Sequence, residues 1–455
     1  MQTLRADAVL TADGWQRNAR IEIGKDGRIA SVAPDVASSG AAEFDVIIPA
    51  PVNLHSHAFQ RAMAGMTEAR GPEENDSFWT WRTLMYRFLD VLTPDDVEAI
   101  AAFVQMEMLE AGYGAVCEFH YLHHQRDGKP YDNLAETAGR IIAAADETGI
   151  GLTLLPVFYQ YGGCDERPLG PGQVRFGNDI ARYARLFEEA RAATRGLPAD
   201  TGLGVAPHSL RAVGPEGLAA CAMLAPDAPL HMHVAEQVRE VDEVEEALGA
   251  RPVRWLLDSH DLGPRWCLIH ATQMAPDETT GLARSGAVVG LCPITESNLG
   301  DGIFDGMRFR VNGGHFGVGS DSNIRISLSE ELRTLEYSQR LRDHGRAMFA
   351  DPTRSTGRNL LERVASGGAQ AAGRDGGVIA PGKFADLAAL DGGAANLVGK
   401  QGDTLLDSYI FASDDRMVVD VWSGGRHLVR GGRHVRHDAI TAAYRKTLTQ
   451  LMDRL

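Results

Sequence analysis

VIIPAPVNLHSH, residues 46–57, is an apolar run that ends in two histidines. Seven more runs share its build: GAVCEFHY (114–121), GIGLTLLPVFY (149–159), GLGVAPHSL (202–210), PLHMHVAE (229–236), WCLIHAT (266–272), GAVVGLCP (286–293) and HFGVGSDS (315–322). Segments with helical period separate most of them, among them Pro94–Ala111, Asp132–Ala145, Asp179–Thr194, Val238–Leu248 and Pro276–Ser285. Near-continuous apolar strands alternating with helices describe a parallel sheet buried on both faces. Eight such units fit a (β/α)₈ barrel of the α/β class. An open doubly wound sheet is the rival, but no G-x-G-x-x-G opens a first helix.

Working outward, residues 3–48 read as short alternating strands with a hairpin turn at Asp26-Gly27, and 378–391 and 417–435 carry matching material. The expectation is a small β-sandwich domain built from 1–48 and 375–440, a barrel over 49–374 and a C-terminal helix over 441–455. The acidic stretch Glu240–Glu246 reads as a solvated helix face, and the basic stretch His427–His437 as sheet-edge surface.

Of the 455 residues, 44% are hydrophobic and 23% charged, an ordinary globular balance. A net charge of −16 argues against a nucleic-acid partner, which needs a basic surface. Five scattered cysteines without a C-x-x-C pair argue against a disulfide framework or a cysteine metal site. Neither a signal peptide nor an apolar stretch of membrane-spanning length is evident, so a cytoplasmic protein without membrane attachment is expected.

The polar residues that break the apolar runs gather at one end of them. His55 and His57 end the first run, Glu118, His120 and Tyr121 the second, and His208 the fourth. His233 and Glu236 end the fifth, His270 the sixth and Asp321 the eighth. Barrel catalysis takes place at the C-terminal ends of the strands. Residues two apart on a strand share a face, so His55 and His57 point together into the barrel mouth, and His231-Met-His233 repeats the spacing. Three imidazole nitrogens and a carboxylate from Asp321 make a four-ligand metal set, or three ligands with an open position.

These motifs resemble the amidohydrolase superfamily, in its branch of aminohydrolases acting on cyclic or amidine substrates. The resemblance rests on N-L-H-S-H (53–57), H-V-A-E (233–236), H-A-T (270–272), G-S-D-S (319–322) and, in the terminal domain, P-G-K-F-A-D-L (381–387). More narrowly, H-S-H-A-F-Q-R-A-M-A-G (55–65) is similar to the formimidoylglutamate deiminase family of histidine degradation, although Pro49-Ala50 stands where that family has Pro-Gly. The resemblance implies one Zn²⁺ per chain on His55, His57, His233 and Asp321, with Fe²⁺ or Mn²⁺ tolerated by similar ligands. Two-metal relatives need a bridging lysine at a mid-barrel strand end. The only lysine between His57 and His233 is Lys129, in a polar turn.

The resemblance further implies a zinc-activated hydroxide, with His270 and Asp321 handling its proton and Glu236, one helical turn after His233, facing the amidine. The expected partner is a small amidine dicarboxylate, bound by Gln60, Arg82, Tyr121, His208 and Arg211, with Arg61 a further candidate. A homodimer is implied in the same way. The aromatic stretch Phe78–Trp81 is either a lid or a subunit contact. Two other readings remain open: deamination of a neutral heterocycle such as guanine, and an inactive scaffold.

Overall fold

The computed structural model describes residues 1–34, 42–68 and 78–455, the side chains of 78–80 excepted. Four strands, β1 (Gln2–Thr11), β2 (Gly14–Ile23), β3 (Ile29–Pro34) and β4 (Phe44–Pro49), precede the barrel. The barrel strands are β5 (Val52–Ser56), β6 (Ala115–His120), β7 (Gly151–Phe158), the interrupted pair β8 (Gly202–Leu203) and β9 (Ala206–Pro207), β10 (Leu230–Val234), β11 (Trp266–His270), β12 (Val288–Leu291) and β13 (His315–Val318). β14 (Leu387–Leu390), β15 (Val418–Ser423), β16 (Arg426–Arg430) and β17 (Arg433–His434) follow it.

All eight apolar runs are strands, and they pair in parallel in chain order. A bridge from Val205 to Leu230 joins the two halves, and one from Ser56 to Asp321 closes the ring. Closure brings the first and last strands together at the future site. Asn53 Nδ2 donates to Ser320 Oγ (2.7 Å), Ser320 Oγ donates to Asn323 Oδ1 (2.6 Å), and Asn323 Nδ2 donates to Ser56 Oγ (3.2 Å). Gly319 is required here: a Cβ on it would sit 2.6 Å from the backbone N and O of His55.

The strands flanking the barrel form one eight-stranded sheet in the order β17-β16-β15-β14-β4-β1-β2-β3, so both termini build it. Its core includes Leu4, Val9, Ile21, Ile47, Leu387 and Trp422, with Phe44 edge-on to Trp422 at 5.2 Å. A buried ionic knot fastens sheet to barrel. Arg374 Nε donates to Asp386 (2.7 Å), and Arg374 and Arg426 both donate to Asp200 (2.8 and 2.7 Å). The last helix, His437–Met452, lies on Pro94–Glu110, with Tyr444 stacked on Phe103 at 4.0 Å.

Candidate metal centre and the cavity above it

At the C-terminal rim, one ligand atom from each of His55, His57, His233 and Asp321 lies within 4.8 Å of the other three, and all four residues are buried. His55 Nε2 is 3.1 Å from His233 Nε2 and 3.5 Å from Asp321 Oδ1, while His57 Nε2 is 3.3 Å from the same oxygen. A tetrahedral ion with bonds of about 2.0–2.1 Å has ligand-to-ligand edges of roughly 3.3–3.4 Å, which these separations match.

The outer hydrogen bonds explain the orientation. His57 Nδ1 donates to Phe119 O (2.9 Å) and His233 Nδ1 to His208 O (3.1 Å), leaving each Nε2 as a bare lone pair facing inward. Burial lowers the pKa of His55 to about 3 and depresses His57 and His233, so the imidazoles are neutral donors. Converging lone pairs repel unless a cation lies between them. The donor set fits a divalent metal ion.

His231 shares the inward face of β10 but lies deeper, where its Nε2 bonds Ala371 O at 2.8 Å. Lys129 lies far from this chemistry, its side chain 77% exposed beside Asp127.

His270 ends β11 next to the cluster. Its Nε2 is 3.8 Å from both Glu236 Oε1 and Asp321 Oδ2, and its Nδ1 is 3.3 Å from Glu296 Oε1. Burial works against the imidazolium, but Glu236, Glu296 and Asp321 outweigh it and hold the His270 pKa well above the usual range. Burial pushes the Glu236 carboxyl up to about 7, with the His270 charge pulling the other way. Such a group gains and loses a proton near neutrality.

Several strand ends leave the sheet through left-handed backbone: Ala235 (φ 50°), His270 (φ 71°), Ala271 (φ 51°), Asp321 (φ 46°) and Asn323 (φ 54°). Non-glycine residues hold that conformation only where their surroundings impose it. Glu236 thus enters the site from a left-handed turn, whereas the sequence suggested a helical turn after His233. The helix begins only at Val238.

Above the cluster lies a cavity of about 60 Å³ that opens to solvent. His57, His233, Glu236, His270 and Asp321 line it, and so do Gln60, Arg82, Tyr121, His208 and Arg211. All the residues expected to bind substrate are therefore brought together. Gln60 Nε2 donates to Tyr121 Oη (2.9 Å), while Gln60 Oε1 has no partner among the described residues.

Arg61 is not part of this group. It pairs with Glu107 (2.8 Å) and donates to the carbonyls of Asn323 and Ile324. Trp81 lines the cavity. The side chains of Phe78 and Trp79 lie outside the described residues, so the lid-or-contact question rests on Trp81.

Glu296 was not singled out in the sequence. Its signal is CPITE (292–296), in which the carboxylate returns one helical turn to bond Cys292 N at 2.9 Å. Glu240 corrects the reading of its stretch as wholly solvated, because it is 1% exposed.

Comparison with known proteins agrees with this geometry. A profile of the amidohydrolase family matches residues 46–428, and one described as "Formimidoylglutamate deiminase HutF, N-terminal domain" matches residues 1–45. The formimidoylglutamate deiminase of Pseudomonas aeruginosa is 46% identical over 100% of both chains. The 8-oxoguanine deaminase of the same organism is 30% identical over 84% of this chain and 83% of its own. A crystal structure of an amidohydrolase from Brucella melitensis superposes with a TM-score of 0.95 at 48% identity, covering 99% of this chain and 100% of that one. On its sequence and its barrel alike, the chain belongs to the amidohydrolase family.

Proposed function

We propose that this chain hydrolyses N-formimidoyl-L-glutamate to N-formyl-L-glutamate and ammonia, a step of histidine degradation. The observation that carries the reading is one cavity lined both by residues of a four-donor metal cluster and by Arg82 and Arg211. The similarity to a formimidoylglutamate deiminase along the whole chain supports it.

In this reading His55, His57, His233 and Asp321 hold one Zn²⁺ per chain, with Fe²⁺ and Mn²⁺ as alternatives. A divalent ion there supplies Lewis acidity that lets water attack at neutral pH. Asp321 orients the attacking water and takes its proton, and the His270 imidazolium, held charged by Glu236, Glu296 and Asp321, orients the same water as a donor. Glu236 pairs with the amidinium and passes a proton to the departing nitrogen. The carbon–oxygen bond forms as the carbon–nitrogen bond breaks, leaving a formamide and ammonia.

Arg82 and Arg211 bind the two substrate carboxylates through their guanidinium forks, while Gln60, Tyr121 and His208 complete the wall. Two cations in the cavity lining, Arg211 buried and Arg82 half-buried, suit a dianion better than a neutral purine. The domain division 1–48 with 375–440, 49–374 and 441–455, a homodimeric assembly and a cytoplasmic location complete the proposal. Light scattering on the purified protein tests the assembly.

The deciding experiment is ammonia release from formimidoylglutamate, its aspartate analogue, guanine and adenine. Release from the first above all others is expected. Release from guanine alone would replace this reading with a heterocycle deaminase.

A further inference from the structure

Within the acidic stretch 240–246, Asp242, Glu245 and Glu246 face solvent, but Glu240 turns inward. Its Oε1 accepts the backbone N–H of Ala235 (3.2 Å) and its Oε2 that of Glu236 (3.0 Å). At these residues β10 has ended and the helix Val238–Leu248 has not begun, so neither amide has a partner in regular structure. The carbonyls of the same two residues are taken by Thr272 Oγ1 and the Gln273 amide. Every backbone group of the turn is thereby held, and the turn contains the left-handed Ala235.

A carboxylate at this helical position that served only as a cap would reach the amide of Gln237, the residue preceding the helix. Glu240 instead reaches past it to the two residues that carry the catalytic group. The Arg211 guanidinium feels the charges of both Glu240 and Glu236.

We propose that Glu240 is a positioning residue: its carboxylate clamps the left-handed turn that aims Glu236 into the cavity. The inference rests on the deaminase reading of the site, in which Glu236 moves the proton and Arg211 binds substrate. Without Glu240, the buried amides of Ala235 and Glu236 lose their acceptor. The charged and titratable groups facing Glu236 are His270, Glu240, Arg211, Asp321 and Asp301.

The test compares Glu240→Gln and Glu240→Ala with the parent, all metal-loaded. Gln keeps the shape and one acceptor but removes the charge. Both variants are expected to hold one metal per chain and to lose tenfold or more in kcat. The acid limb of the pH profile should move to lower pH in Glu240→Gln, and the amides of Ala235 and Glu236 should exchange faster in Glu240→Ala.

A kcat within twofold of the parent at full metal content would overturn the proposal. So would a loss that only tracks the unfolded fraction while the pH profile stays put. If the parent releases no ammonia from formimidoylglutamate, the functional reading falls by itself. Amide exchange then still decides the clamp, and unchanged protection in Glu240→Ala refutes it.

Discussion

Glu236 and His270 sit 3.8 Å apart in a water-poor pocket, so each alters the other's hold on a proton. Replacing Glu236 with Gln keeps the side-chain volume but ends proton transfer. The expected loss is about 10²–10⁴-fold in kcat, with metal content unchanged, read by ammonia release beside metal analysis. Arg211→Ala should act differently, because it removes a charge-assisted contact worth about 1.5–3 kcal/mol. That corresponds to a fall of roughly 10- to 150-fold in kcat/KM, carried mainly by KM, while an uncharged formamidine should be affected far less. At this scale the sequence was informative because metal ligands and acid–base groups are rare types in apolar strands. Glu296 escaped notice and Glu240 was read as solvated because a glutamate near a helix start is ordinary in sequence, and only its burial marks it.

At the scale of elements, the site depends on how the first and last strands meet. Asn53, Ser56, Ser320 and Asn323 tie the ends of β5 and β13, and Gly319 lets the backbones touch. Gly319→Ala should cost about 1–3 kcal/mol of stability through overpacking and should lower metal occupancy, because the intruding methyl displaces His55. Thermal melts with metal analysis of the same preparations check both effects. The strands were readable from their apolar runs. The left-handed turns that end three of them were not, since no glycine marks Ala235, His270 or Asp321.

For the whole molecule, the barrel and the terminal sheet are joined by the knot of Asp200, Arg374, Asp386 and Arg426. Burial alone would raise the Asp200 pKa, but Arg426 and Arg374 outweigh it and hold it at about 2, below its ordinary 3.8. A carboxyl with a depressed folded pKa contributes stability above its unfolded pKa and loses it as pH falls through the folded one. Stability should therefore fall between about pH 4 and pH 2 by about 2 kcal/mol on this account, and Asp200→Asn should flatten that part of the acid-unfolding curve. Metal binding should act through the same closed ring. Chelation should lower the melting temperature, and zinc at a thousand times its Kd should restore about 4 kcal/mol.

The sequence alone determined the eight-strand order, the α/β class and the placing of His55, His57, His233, His270 and Asp321 at one rim. Strand period and polarity are local properties, and a barrel converts them directly into a shared face. Only the tertiary structure decided that His231 is a core residue while His233 joins the cluster, that Arg61 belongs to Glu107 while Arg211 faces the cavity, and that Glu240 is buried. In each case residues of one type lie close in sequence or share a motif, and spacing alone does not separate them. What separated them was the neighbour that ring closure brought within hydrogen-bond distance.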